Sequence, residues 1–166
     1  MMELYLIRHG IAADREAYSN DKKRPLTDKG RQKTTKVAKE LYRRGLRFDL
    51  ILTSPLVRAR ETAAILKDVG LSKRVEEFPS LAPNGNIHVW VNWLESEWKN
   101  NTVRNSLALV GHQPDLGNWA ETLLWGKYQE KLVLKKAGVL GLHIPEIKIP
   151  LSQCELFLLI YPKWLL

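Results

Sequence analysis

The segment Glu3-Leu-Tyr-Leu-Ile-Arg-His-Gly10 decides how this sequence is read. It is apolar from Leu4 to Ile7, as a strand covered on both faces requires, and it stops abruptly at Arg8-His9-Gly10. Two further segments repeat the pattern. Asp49-Leu-Ile-Leu-Thr53 runs into Ser54-Pro55-Leu-Val-Arg58, and Ser106-Leu-Ala-Leu-Val110 runs into Gly111-His112-Gln-Pro114. Short strands are expected around Val75–Phe78, and at Val139–Ile144 and Glu155–Tyr161.

Helices are expected between these strands. After the polar, irregular residues 11–25, Leu26-Thr27-Asp28-Lys29-Gly30 leads into a helix to about Arg44. Thr34, Val37, Ala38 and Leu41 keep the 3.6-residue period, Thr27 or Asp28 caps the start, and Gly45 ends it. Ser54 as N-cap and Pro55 at the first position begin a helix to about Val69. Ile87–Lys99 carries one stripe of Ile87, Trp90, Val91, Leu94 and Trp98, and a further helix covers Leu116–Leu124. Strand and helix alternation predicts a three-layer α/β/α fold with a mostly parallel central sheet, in one domain over 1–166.

Composition narrows the class. The chain has 166 residues, 45% hydrophobic and 27% charged, the balance of a globular protein and not of a disordered tail. No apolar run approaches the ~18 residues of a membrane span, and Leu4–Ile7 is too short for a secretory signal. A soluble, cytoplasmic protein is expected. The single cysteine, Cys154, excludes an intramolecular disulfide and reads as a buried structural thiol opening the apolar run Leu156–Tyr161. Lys and Arg exceed Asp and Glu by 8. Such a surface attracts anions such as phosphorylated ligands, acidic proteins or nucleic acid, and charge alone does not choose among them.

The chemistry is expected where ligands bind in such sheets, beyond the carboxyl ends of the strands. Two histidines, His9 and His112, and two arginines, Arg8 and Arg58, converge there. Guanidinium forks bind phosphate oxygens in pairs, and imidazole at neutral pH serves as nucleophile or acid–base group. There is no Gly-x-x-x-x-Gly-Lys-Ser/Thr loop and no His-Glu-x-x-His motif. The lysine pattern matches no nucleic-acid module, so neither nucleic acid nor a membrane is expected as partner.

Leu6-Ile7-Arg8-His9-Gly10, Leu26-Thr27-x-x-Gly30, Ser54-Pro55-x-x-Arg58-Ala59-x-x-Thr62-Ala63 and Gly111-His112 occur in the order found in the histidine phosphatase superfamily, which includes the phosphoglycerate mutases. Together with the short length, Arg24-Pro25-Leu26-Thr27, Leu81-Ala-Pro-Asn-Gly-Asn86 and Gly-His-Gln-Pro, the chain resembles the SixA-type phosphohistidine phosphatases. The resemblance covers roughly Glu3 to Ile144. It implies a phosphoglycerate mutase-like fold and a metal-independent phosphatase without cofactor. By the same resemblance His9 is expected to become transiently phosphorylated, Arg8 and Arg58 to hold the phosphoryl oxygens, and His112 to stabilise the transferring group. Arg24, Asn84 and Asn86 are possible rim residues.

The sequence departs from the broader family at its proton donor. Mutases and many phosphomonoesterases carry a glutamate soon after the third strand, whereas Ser80-Leu-Ala-Pro-Asn-Gly-Asn86 has no carboxylate. This favours phosphohistidine in a protein as substrate, because imidazole leaves far more readily than an alkoxide. A small-molecule phosphomonoesterase and a non-catalytic phosphate-sensing or partner-binding domain remain as alternatives, and Asp14, Glu16 and Asp21 of the first long loop are the acids that could reach the site. Ordinary structural roles are expected for His88 and His143. Arg60 and Glu61 read as a solvated pair and Lys22-Lys23-Arg24 as an exposed loop. Trp93, off the apolar stripe, is the one tryptophan with a possible binding role.

Overall fold

A computed structural model describes residues 1–146 and 149–166. Strands β1 (Met2–Arg8), β2 (Leu50–Thr53), β3 (Val75–Glu77), β4 (Ser106–Gly111), β5 (Val139–Ile144) and β6 (Glu155–Ile160) form one sheet in the order β3-β2-β4-β1-β5-β6. Strands β1 to β4 are parallel, β5 runs antiparallel to β1, and β6 runs antiparallel to β5. The helices are α1 (Asp28–Arg43), α2 (Val57–Val69), α3 (Ile87–Asn100) and α4 (Asp115–Trp125). None is long and apolar enough to cross a membrane among the described residues.

The strand pleat explains the layers. Successive side chains of β1 point to opposite faces. Leu4 and Leu6 pack with Trp90, Leu94, Trp119 and Leu123 of α3 and α4. Tyr5 and Ile7 pack with Val37, Leu41, Ala63 and Leu66 of α1 and α2. Each face of the sheet is therefore covered by two helices, the expected three-layer α/β/α arrangement.

Two local expectations, on Ser54-Pro55 and on Arg60 and Glu61, are corrected. Helix α2 starts at Val57 with Leu56 as N-cap, so Ser54-Pro55 does not open it. The Ser54 hydroxyl is instead engaged at the sheet rim, where it accepts the Leu56 N–H at 3.2 Å and lies 2.8 Å from His112 Nε2. Strand β6 is an edge strand, and Leu156, Phe157 and Leu159 stay exposed because no helix covers them. Arg60 and Glu61 do not pair with each other. Arg60 reaches Glu77, and Glu61 accepts from the Leu26 N–H and the Arg31 guanidinium at 3.1 and 2.9 Å. Cys154 is buried as expected, its thiol donating to the Pro150 carbonyl, and burial pushes its pKa up to about 12.

Two contacts fix the chain beyond β1. The Thr27 hydroxyl caps α1 by accepting the Gly30 N–H at 2.9 Å, and the Thr27 N–H donates to the Ile11 carbonyl. A Cβ on Gly30 would lie 2.1 Å from the Ile11 carbonyl oxygen, and one on Gly10 2.3 Å from Thr34 Oγ1. The first turn of α1 thus rests directly on the backbone that follows His9. On the other side of β1, the fully buried Glu121 of α4 accepts the backbone N–H groups of Gln129, Lys131 and Leu132 at 3.1, 3.0 and 3.4 Å. This clamp shapes the loop that brings the Leu134 carbonyl to Arg8.

Gly30→Ala is expected to lower stability by about 1–3 kcal/mol through overpacking against backbone. Glu121→Ala is expected to cost about 1–3 kcal/mol by leaving three loop N–H groups without their acceptor. Urea unfolding midpoints check both, and a wild-type midpoint for either variant would contradict the contact described.

Candidate active site

The carboxyl ends of β1, β2 and β4 open into a cavity of about 530 Å³. Arg8, His9, Arg58 and His112 all line it, as do Arg24 and Asn84. Asn86 does not; it caps α3, its side chain accepting the His88 N–H at 2.9 Å. Arg15, Asp21, Asp115 and Lys136 complete the charged lining.

Strand register brings the two histidines together. Arg8 lies opposite Gly111, and the His9 N–H donates to the Gly111 carbonyl at 3.1 Å. The His9 and His112 ring centroids are 5.1 Å apart, with the rings inclined at 58°. Both side chains are buried. Desolvation lowers the His9 pKa to about 3, and the nearby His112, Arg58 and Arg8 add to that, against the opposing hydrogen bond to Gly10. Desolvation likewise lowers the His112 pKa to about 4, with Arg58 as the next cause. Both imidazoles are therefore neutral at pH 7.

The neutral His9 ring has a defined tautomer. Its Nδ1 lies 2.7 Å from the Gly10 carbonyl, which only accepts, so Nδ1 carries the proton and Nε2 keeps its lone pair. His112 Nε2 pairs with the Ser54 hydroxyl, while its Nδ1 is buried without a protein partner among the described residues.

Two arginines are held by different segments of the chain. Arg8 Nη1 donates to the Leu134 carbonyl at 3.0 Å, and its Nε is buried and unpaired. The Arg58 guanidinium, almost wholly buried, donates through Nη1 to the Asp21 carbonyl and through Nη2 to the Asp21 carboxylate, at 2.8 and 3.1 Å. Arg24 Nε donates to the other Asp21 oxygen at 2.8 Å. Burial pushes the Asp21 carboxyl up, but hydrogen bonds from Arg24 and Arg58 outweigh it and hold its pKa below the ordinary value. Asp21 is an anion at neutral pH and not a ready proton donor.

Asp115, at the first position of α4, was not singled out by the sequence. It lines the cavity and accepts the Asn84 N–H at 3.0 Å. Its signal was its place three residues after His112, where a helix start turns back to the rim. Lys136 had no signal, because the antiparallel direction of β5 is what returns its preceding segment to this end of the sheet. Burial, then the charges of Arg8 and Arg24, lower the Lys136 pKa.

The remaining candidates lie elsewhere. His143 stacks on Phe157 with centroids 4.4 Å apart, and His88 is exposed on α3. Trp93 packs edge-on against Phe78 at 5.7 Å and lies half-buried against the core, away from the cavity lining. Arg24 is not an exposed loop residue; its side chain is 12% exposed and donates to the Ala13 carbonyl. No three His, Cys, Asp or Glu side chains are grouped to hold a metal ion among the described residues.

Residues 4–82 match the family model of the histidine phosphatase superfamily, branch 1. The chain is similar to an uncharacterised protein of Picosynechococcus sp., 50% identical and covering 99% of each chain. It is also similar to the phosphohistidine phosphatase SixA of Escherichia coli, 28% identical over 70% of each chain. In structure it resembles the protein histidine phosphatase SixA complexed with tungstate, with a TM-score of 0.84, 24% identity and 99% of each chain covered. Through residues 4–82 the chain belongs to the histidine phosphatase superfamily, and over nearly its whole length it has the SixA-type architecture.

Proposed function

We propose that the chain hydrolyses N-phosphohistidine in proteins through a transient phosphohistidine on His9. The observation that carries this reading is the buried, neutral His9, with Nδ1 tied to Gly10 and Nε2 left as a nucleophile beside two arginines. Nε2 attacks phosphorus in line, and a new N–P bond forms as the bond to the substrate imidazole breaks. The departing nitrogen takes up a proton. Water then attacks the phosphohistidine, releasing phosphate and restoring His9.

Phosphoryl transfer needs mainly positioning and charge neutralisation. Arg8 and Arg58 supply fixed cations for the equatorial oxygens, and His112, which lines the same cavity, is the further group for them. An incoming phosphoryl group competes with the Asp21 carboxylate for Arg58. The leaving group argues for phosphohistidine. An alkoxide needs a positioned acid, typically worth ~10²–10⁴-fold, whereas imidazole has a conjugate-acid pKa of ~6.5. Asp21, paired with two arginines, is poorly suited to that task. The E. coli relative's name supports the same substrate class. Asp115 favours the alternative of a small-molecule phosphomonoesterase, since it is the cavity carboxylate with no arginine partner among the described residues.

His9→Ala is expected to abolish turnover with the fold retained, and rapid quenching at alkaline pH places label on His9 in the wild type. Label on another residue contradicts this. Arg58→Ala is expected to lose ~3 kcal/mol of transition-state stabilisation, read from kcat/KM.

Phosphohistidine peptides are expected to be cleaved far faster than glycerol phosphate, with aryl phosphates between, and Asp115→Asn is expected to leave this order and the peptide rate unchanged. Equal specificity constants, or an alkyl phosphatase rate lost in Asp115→Asn, would favour the ester alternative.

Imidazole NMR titration is expected to find His9 and His112 neutral down to pH 5. Their folded pKa values lie below the ~6.5 of an unfolded imidazole, so the unfolded chain binds more protons in that window. Their contribution to stability is therefore present above pH 6.5 and is lost as the pH falls toward 4. Protonation of either ring near 6.5 would overturn the desolvation argument.

A further inference from the structure

Beside the active-site cavity lies a second, open groove of about 490 Å³ that the phosphoryl chemistry does not use. Lys33 of α1, Lys135 and Lys136 of the segment before β5, and Lys163 after β6 line it, and none of its lining residues is acidic. None of these four lysines forms a salt bridge among the described residues. Their floor is Ile11, Tyr161 and Pro162. The Lys135 ammonium stands 5.8 Å from the centroid of the Tyr161 ring, an aromatic contact and not an ion pair.

The groove is continuous with the catalytic cavity. Arg8 and Lys136 line both. The sheet explains this convergence. The start of β5 and the end of β6 lie beside Ile7, since Val139 pairs with both Ile7 and Ile160. The segments flanking those two strands therefore arrive next to Arg8, although they are far apart in sequence. Four like charges held close together repel one another, and that cost is offset only when an anion is present.

We propose that this groove is a second anion subsite, which takes the side-chain carboxylates of an acidic polypeptide segment flanking the phosphorylated residue. The proposal rests on the phosphohistidine reading for the residue that enters the cavity, and it adds where the neighbouring chain lies. Its ligand class follows from the lining. The cations are separate ammonium points from three segments of the chain, spread along an apolar and aromatic floor. That pattern suits spaced carboxylates with hydrocarbon stems better than one compact phosphate, which arginine forks grip in pairs. An extended chain advances ~3.3 Å per residue, so acidic residues a few positions from the phosphohistidine reach the groove.

The test uses full-length protein and the variant Lys33→Gln/Lys135→Gln/Lys163→Gln, which spares Arg8 and Lys136 and keeps most of each side chain's length. Turnover of p-nitrophenyl phosphate, too small to span both sites, is expected to be unchanged in the variant and so reports an intact fold and cavity. In a binding arm, a fluorescent unphosphorylated glutamate-rich peptide is expected to bind wild type and to weaken roughly tenfold in the variant. The binding is also expected to weaken as salt shortens the screening length. In a turnover arm, a phosphohistidine peptide with acidic flanks is expected to exceed one with serine flanks roughly tenfold in kcat/KM for wild type and to lose that advantage in the variant. Equal peptide binding by wild type and variant, or equal kcat/KM for the two phosphopeptides with wild type, overturns the subsite. If neither phosphopeptide is turned over while the binding difference persists, the subsite stands and the phosphohistidine reading falls.

Discussion

The register of β1 against β4 is the constraint on which the site depends. Ile7 pairs with Val110 and Arg8 with Gly111, so the next residue on each strand is a histidine. Side chains alternate along a strand, and a slip by one residue would send the whole apolar set of β1 to the opposite helix layer. Burial on both faces forbids that slip. The same packing that separates Leu4 and Leu6 from Tyr5 and Ile7 therefore fixes the 5.1 Å approach of the His9 and His112 rings.

Burial then sets the chemistry of those rings. A histidine at an exposed loop tip would be partly cationic near neutral pH and correspondingly poor as a nucleophile. Here the walls remove water, and several cations stand close by, so the charged imidazole is disfavoured twice. The arginines keep their charge because guanidinium is too basic to lose it. The outcome is a neutral imidazole in a positive cavity, which is what the proposed attack on a phosphoryl dianion requires. Asp21 moderates that field by pairing with Arg24 and Arg58.

The supports of the cavity are backbone contacts from sequence-distant segments. Thr27 and Gly30 hold the chain after His9, and the Gly10 N–H donates to Thr62 of α2 at 3.1 Å. Glu121 organises the loop that supplies the Leu134 carbonyl to Arg8. These residues touch no reacting atom. They fix where Arg8 and His9 stand, and this explains why the motif residues around the histidines are small or hydroxylic.

What the sequence determined by itself was whatever local periodicity and strand ends encode. The apolar cores of β1, β2 and β4, the period of α1, and the placing of Arg8, His9, Arg58 and His112 at one rim all follow from short-range pattern. The three-layer fold follows from alternation. Tertiary structure alone decided the direction of β5 and β6, and through it the arrival of Lys136 at the cavity and of Lys135 and Lys163 beside it. A strand's apolar content is the same whichever way it runs, so no local signal carries that direction. Tertiary structure also drew Ser54 away from capping α2 and toward His112, and seated Asp21 on two arginines while Asp14 and Glu16 stayed outside the cavity lining. Hydrogen bonds between distant segments form only after the sheet has assembled, and their partners are chosen by its geometry and not by sequence spacing.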